Sequence, residues 1–484
     1  MSTTTRGTAT ESVTRAFIGG QSVPTGDTYD NIDPATGHSL GAVVRCGSEE
    51  VDRAVSAART ASRTWSRTSV ADRVDVLTRI ADSIDQNRER LALLECQDTG
   101  KPLGQARTDA AVSARYFRFY GHAIETYQGH TIPLSPDLHV YTRREPLGVT
   151  GHILAWNYPM QLLSRAVAPA IATGNCCVVK PADETPRTAV EFARLSVEAG
   201  LPPGVFNVVP GPGAEAGFAL STHGDVDHLG FVGSTATGSL IAHAAADRVL
   251  PTTLELGGKS PQIVFPDADL SRATEFIVKA VLQNAGQTCS AGSRLLVHES
   301  IHDELVDRVR RRFDTITIGP GAHDRDLGPL ISRKQQDRVK DMVGADTRGE
   351  VICGGGPPTD PALAGGAYFA PTLIDDVDPE SVLAQQEIFG PVLTVHRFGD
   401  EDEAVALANG TEYGLLAAIW TTNLSRAHRM AADIVAGQVY VNTYGAGGGV
   451  ELPFGGFKKS GYGREKGREA LDAMTATKTV VISL

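Results

Sequence analysis

Between residues 146 and 256 the chain sets short apolar runs against longer stretches of mixed polarity. The runs cover 148–154, 177–180, 205–209, 228–232 and 252–256, and two intervening stretches, 185–199 and 234–246, have the length and spacing of helices. Short buried strands separated by helices are the βαβ rhythm of a parallel sheet, so a doubly wound unit is predicted here. A second α/β pattern begins after Gly258. Two outlying segments, 125–145 and 473–484, alternate polar and apolar residues as strands do, for example in His139-Val140-Tyr141-Thr142-Arg143 and Thr477-Lys478-Thr479-Val480-Val481-Ile482.

With 484 residues the chain exceeds one ordinary core and predicts two or three domains, and 41% hydrophobic with 21% charged residues is a globular balance. A formal net charge of -12 argues against nucleic acid or an anionic membrane as the main partner, because phosphate binding needs clustered Lys and Arg. The basic run Arg308-Val309-Arg310-Arg311-Arg312 reads as a solvated helix face. No stretch approaches the roughly 20 apolar residues of a membrane span, and the polar segment 1–14 lacks the apolar core of a secretory signal, so a cytoplasmic protein is expected. Six cysteines without regular spacing fit reduced thiols, and with no His-x-x-x-His or Cys-x-x-Cys pattern no metal site is expected.

Candidate chemistry sits in two motifs. Asn284-Ala285-Gly286-Gln287-Thr288-Cys289-Ser290 places a cysteine among small neighbours, as suits a thiol on an open, closely approached turn. Leu254-Glu255-Leu256-Gly257-Gly258-Lys259 places a carboxylate before two glycines, where backbone or ligand can approach. A thiol attacks carbon only as thiolate, and Glu255 can accept its proton. The other five cysteines read as small buried hydrophobes, with Cys176-Cys177 packed in a strand.

These motifs, in this order and separation, resemble the aldehyde dehydrogenase superfamily. So do Trp156-Asn157-Tyr158-Pro159, Val179-Lys180-Pro181-Ala182-Asp183, Phe231-Val232-Gly233-Ser234-Thr235-Ala236-Thr237-Gly238, Glu387-Ile388-Phe389-Gly390-Pro391 and Pro453-Phe454-Gly455-Gly456-Phe457-Lys458. The resemblance implies an α/β fold: a doubly wound Rossmann-type cofactor domain, an α/β catalytic domain and a small β oligomerisation flap. The expected boundaries are 1–124 with 147–257 for NAD binding, 258–457 for catalysis, and 125–146 with 473–484 for oligomerisation, the tail strand pairing with a neighbouring subunit in a homodimer or homotetramer.

It also implies the site. Cys289 would attack the aldehyde, Asn157 and the Cys289 backbone would hold the oxyanion, Glu255 would activate water against the thioester, and Lys259 resembles a proton-relay lysine. Asn157 could equally cap the helix that starts at Pro159. Family members that pass the acyl group to coenzyme A generally lack the base, so Glu255 favours the hydrolytic class; a coenzyme A-acylating enzyme and a non-catalytic protein on the same fold are the alternatives.

Gly233, Ser234 and Gly238 follow a predicted strand and open a helix, so free N–H groups could face a pyrophosphate, although this spacing departs from G-x-G-x-x-G. Lys180 and Asp183 stand past the end of an apolar strand, where Asp183 could accept ribose hydroxyls and repel a 2′-phosphate, which favours NAD over NADP, or could serve as a helix-start acid. By resemblance Glu387 holds the nicotinamide ribose, and Trp156, Leu256 and Phe389 complete the cofactor set. Tyr158, Gln161, Leu162, Arg165 and Thr288 are assigned to the aldehyde tunnel. Arg165 resembles the carboxylate anchor of semialdehyde dehydrogenases, or pairs with an acidic neighbour. Gln283, where succinic semialdehyde enzymes tend to carry a second base, weakens the first option, and the glycine loop 444–449 leaves room for aromatic or long aldehydes.

Overall fold

The computed structural model describes residues 13–24, 26–345, 349–445 and 449–484. An eight-stranded sheet runs in the order Gln21–Val23, Ala16–Ile18, Phe206–Val208, Cys176–Lys180, Val149–Ile153, His228–Val232, Thr252–Glu255, Gly461–Tyr462. Its five middle strands are parallel and fall on the apolar runs of the sequence to within one or two residues. The parallel part starts at Val149–Ile153, works outward to Phe206–Val208, then returns to build the other half from His228–Val232. Strand order therefore reverses beside Val149–Ile153, and ligands of such sheets bind at the carboxyl ends near that point.

A second sheet of seven strands runs Glu350–Cys353, Thr372–Asp375, Val392–Phe398, Arg294–His298, Pro261–Val264, Leu416–Trp420, Gln438–Val441, all parallel except the first. Each sheet is packed by helices into its own apolar core. The first core also recruits Val450, Ala470, Leu471 and Met474, and its outer strand Gly461–Tyr462, from beyond the second sheet. The late chain thus crosses back, which carries residues 450–474 past the cleft. Among the described residues no helix is long and apolar enough to cross a membrane.

The outlying segments form one ribbon, Leu138–Pro146 against Thr475–Ser483, antiparallel in register from Thr475 opposite Pro146 to Ser483 opposite Leu138. The tail strand thus pairs with its own chain's flap strand. The segment 1–12, part of the polar stretch noted above, lies outside the described residues.

Candidate active site

Strand Thr252–Glu255 ends at the carboxyl edge of the first sheet, and the chain then crosses through Leu256-Gly257-Gly258-Lys259-Ser260 to the amino end of Pro261–Val264 in the second. Cys289 precedes the amino end of the adjacent strand Arg294–His298. Base and thiol therefore meet where the two sheets face each other, in a cavity of about 1120 Å³ lined from both sides.

The nucleophile loop is strained and held. Asn284, Ala285 and Gly286 have φ of 51, 55 and 74°, left-handed values that cost non-glycine residues roughly 1–2 kcal/mol each. Asn284 Nδ2 donates to the carbonyls of Asn157 (2.8 Å) and Gln287 (3.2 Å), Gln287 Nε2 donates to Asn284 O (3.0 Å), and Gln287 Oε1 accepts from the Ile331 N–H (2.8 Å). Such over-determination is how strain persists at functional sites. Close approach explains the glycines: a Cβ on Gly286 would lie 2.1 Å from Gly390 O, and one on Gly258 would lie 2.4 Å from Cys289 O.

Cys289 lies beside the Glu255 carboxylate, and burial followed by that negative charge pushes its thiol well up. Burial also pushes Glu255 up to about 7, against the opposing pull of Arg165, with Glu465 adding to the rise. Arg165 Nη2 donates to Glu255 Oε2 at 3.2 Å, and its Nε is 2.5 Å from Glu465 Oε2. Glu255 Oε1 is buried with no hydrogen-bond partner among the described residues, an acceptor in reserve for a proton. Lys259 Nζ is likewise buried and unpartnered, its ammonium pushed down to about 7 by burial first and by Arg294.

Asn157 does not cap its helix. Tyr158 occupies the N-cap position of Pro159–Ala172 without a side-chain bond, and Glu95 from another helix accepts the Met160 N–H at 3.0 Å. The Asn157 amide instead donates one N–H to Gln287 O at 3.1 Å, which fixes its plane and leaves the other N–H free for a ligand.

Trp156, Gly233, Ser234 and Leu256 from the first sheet and Glu387 and Phe389 from the second line one end of the cavity; Lys180, Asp183 and Gly238 lie off its lining. Ser234 caps helix Thr235–Ala246 through the Thr237 N–H (3.2 Å), leaving other first-turn N–H groups for an anion. A Cβ on Gly238 would come 2.5 Å from Leu256 Cδ2, so this glycine seats the helix. Lys180 ion-pairs with Asp183, which also accepts from the Gly213 N–H at 3.4 Å; helix Arg187–Glu198 starts beyond it, so Asp183 is no helix cap. Glu387 accepts the Gly258 N–H at 3.1 Å and is pushed up to about 7 by burial, so it is not a solvated loop carboxylate. Trp156 and Phe389 meet edge to face with centroids 5.2 Å apart. These groups offer a dinucleotide an anion-binding helix start, ribose acceptors and an aromatic pair.

On the tunnel side Tyr158, Gln161, Leu162, Arg165 and Thr288 all line the cavity. The Tyr158 hydroxyl bonds Thr288 Oγ1 at 3.0 Å, and Gln161 Nε2 donates to Asp109 Oδ1 at 2.6 Å. Arg165 takes the second of its two expected forms, paired with acidic neighbours. Tyr444 reaches from the glycine loop to bond the Ser290 carbonyl, filling part of the room expected there, while residues 446–448 of that loop lie outside the described residues. Phe454 and Lys466, which line the cavity with Arg165, and Glu465, which ion-pairs with it, were not foreseen as site residues, since a charged turn carries no periodic or spacing signal.

A family model for the aldehyde dehydrogenase family matches residues 22–480. A putative aldehyde dehydrogenase from Burkholderia cenocepacia is 49% identical, covering 97% of this chain and 99% of its own, with a TM-score of 0.95. A Bacillus cereus aldehyde dehydrogenase in complex with NAD+ is 39% identical over 98% and 97% of the two chains, TM-score 0.95. An indole-3-acetaldehyde dehydrogenase from P. syringae, complexed with NAD+ and IAA, is 40% identical over 97% and 96%, TM-score 0.95.

Proposed function

The chain belongs to the aldehyde dehydrogenase family, and from that premise we propose that it oxidises an aldehyde to its carboxylic acid with NAD through a thioester on Cys289 that Glu255 hydrolyses. The observation that carries this reading is the Glu255 carboxylate beside the Cys289 thiol, with one oxygen on Arg165 and the other unpaired.

Glu255 takes the thiol proton, and the sulfur adds to the aldehyde carbon. The carbonyl electron pair moves to oxygen, where the free N–H of Asn157 and the Cys289 backbone N–H stabilise the charge. NAD, when bound, supplies the acceptor for the hydride that leaves this carbon. A thioester remains on Cys289. Glu255, once the thiol proton has passed from it to solvent, draws a proton from water, whose oxygen adds to the thioester carbon, and the C–S bond breaks to release the acid and regenerate the Cys289 thiolate. A base poised near 7 suits neutral pH.

Residues of 1–124 and 147–257 hold the cofactor and residues of 258–457 carry the nucleophile. Ser234 and its helix start receive the pyrophosphate, Asp183 and Lys180 the adenosine ribose, and Glu387 the nicotinamide ribose. The Asp183 carboxylate would repel a 2′-phosphate, and Arg45, which interacts electrostatically with Asp183, is already bound by Glu215 (2.9 Å), which supports NAD over NADP. With Arg165 neutralised by two carboxylates and Tyr158, Tyr440, Tyr444, Phe454 and Leu452 on the walls, the tunnel suits an aldehyde with an aromatic body rather than a distal carboxylate. The exposed Val481, Ile482 and Leu484 of the flap support self-association as a dimer or tetramer, and six unpaired cysteines support a cytoplasmic setting.

NADH formation with phenylacetaldehyde, propanal and succinic semialdehyde, with and without coenzyme A, tests the reading. Free arylacetic acid formed without coenzyme A is expected; acyl-coenzyme A as the product, or preference for succinic semialdehyde, would overturn it.

A further inference from the structure

A buried charge cluster, of which only Asp109 reaches the cavity lining, backs the tunnel wall and takes no part in the chemistry above. Helix Arg88–Thr99 ends at Gly100, and the next residue, Lys101, turns inward before helix Leu103–Glu125. Its ammonium is 2.9 Å from Glu95 Oε1 and 2.6 Å from Asp109 Oδ2, and it lies 4.4 Å from the centroid of the Tyr158 ring. The Lys101 and Glu95 side chains are fully buried and Asp109 is nearly so. Burial alone would push the ammonium down, but Asp109 and Glu95 hold it above its ordinary value, so the lysine is charged.

The carboxylates of this cluster bond the start of the helix whose side chains line the active-site wall. Glu95 Oε2 accepts the Met160 N–H at the start of the helix that follows Asn157, a helix whose own N-cap has no side-chain bond. Asp109 Oδ1 accepts Gln161 Nε2. Tyr158, with its ring facing the ammonium, bonds Thr288, the neighbour of Cys289. Buried ions are poor contributors to stability compared with well-packed apolar groups of similar volume, while removing one partner is costly. What the cluster contributes here is direction: a ring plane, an amide orientation and a helix start, each fixed by a hydrogen bond or ring contact.

We propose that Lys101 is a positioning residue of the aldehyde tunnel, setting the Tyr158 ring and the Gln161 amide so that the wall fits a bulky, aromatic aldehyde while leaving the thiol chemistry itself untouched. This rests on the aldehyde-oxidation reading above.

The test compares purified wild type, Lys101→Met and Asp109→Asn with phenylacetaldehyde and with propanal at saturating NAD, alongside NAD affinity from protein fluorescence. Lys101→Met is expected to lower kcat/KM for phenylacetaldehyde by ~10-fold or more, chiefly through KM, since pocket-wall differences discriminate about 10- to 200-fold. Propanal turnover is expected to stay within about threefold and NAD affinity to hold, which a general loss of structure would not allow. Asp109→Asn leaves Lys101 paired with Glu95 and is expected to move selectivity the same way; it decides the matter if Lys101→Met does not fold. An equal fall for both aldehydes, or an unchanged ratio, overturns the proposal. Wild type that forms NADH with neither aldehyde overturns the underlying reading; active wild type with unmoved variant selectivity overturns this inference alone.

Discussion

Arg165 donates to Glu255 over 3.2 Å while its other edge faces Glu465, so the base of the site is held by a guanidinium that is itself shared between two carboxylates. This positive charge opposes the burial that raises Glu255. Arg165→Ala should therefore shift the acid limb of the kcat–pH profile upward, by about one pH unit or more, because losing a neighbouring opposite charge favours the neutral acid. A limb that stays put, with loss confined to carboxylate-bearing aldehydes, would return Arg165 to a substrate-anchoring role.

The second glycine after Glu255 has a steric purpose. A methyl group on Gly258 would lie 2.4 Å from the Cys289 carbonyl, so Gly258→Ala must displace the nucleophile loop. A shift of about 1 Å costs on the order of 10²-fold in rate. We expect at least that loss in kcat with cooperative thermal unfolding retained; near-native kcat would show that the loop tolerates displacement.

On the proposed placing of the adenosine ribose, cofactor choice depends on the charge of Asp183. Asp183→Ala removes the carboxylate that would repel a 2′-phosphate and frees Lys180 from its ion pair. The ratio of kcat/KM for NADP over NAD should rise about tenfold or more, equivalent to about 1.4 kcal/mol. A ratio that does not move would place the discriminating contact elsewhere.

Three buried histidines tie stability to pH. Burial pushes His152 and His396 down to about 3 and His228 to about 4, with His228 adding to the shift of His152 and Arg294 to that of His396. Above about 6.5 the rings are neutral in both folded and unfolded chains, and stability is unaffected. As pH falls below that value the unfolded chain binds protons the folded chain refuses, so stability declines until about 3–4. Urea midpoints should fall steadily from pH 7 to pH 5, and His152→Asn with His228→Asn should flatten that slope. An unchanged slope would mean that carboxylates dominate.

The sequence carried the parts of this account that depend on local pattern. Apolar runs marked the five central strands because each lies buried on both faces. Cys289 and Glu255 stood out because small or glycine residues lie beside them, and Asn157 because Trp156-Asn157-Tyr158-Pro159 resembles a family motif. What it did not carry was pairing across long separations. Arg165 could be an anchor or a partner, and only the return of residues 450–474 to the first core, bringing Glu465 to the cleft, distinguishes these. Asn157 looked like a helix cap because Asn-x-Pro is good capping chemistry, yet the bond is supplied by Glu95, about 60 residues earlier in the chain. Lys101 and Asp109 had no motif at all, since two helices must fold before they meet.

The most direct measurement is the intact mass of Glu255→Gln protein after mixing with phenylacetaldehyde and NAD. Glu255 serves both steps, but removing its charge also removes a cause, second to burial, that holds the Cys289 thiol up, so solvent can take that proton, whereas hydrolysis loses its only base and slows by about 10²–10⁴-fold. The variant should accumulate a thioester, adding one phenylacetyl group at Cys289 that Cys289→Ser cannot form, with no more than one NADH released per site. Steady turnover without any adduct, or an adduct on another residue, would contradict the assignment of Cys289 as nucleophile and Glu255 as the base that hydrolyses its thioester.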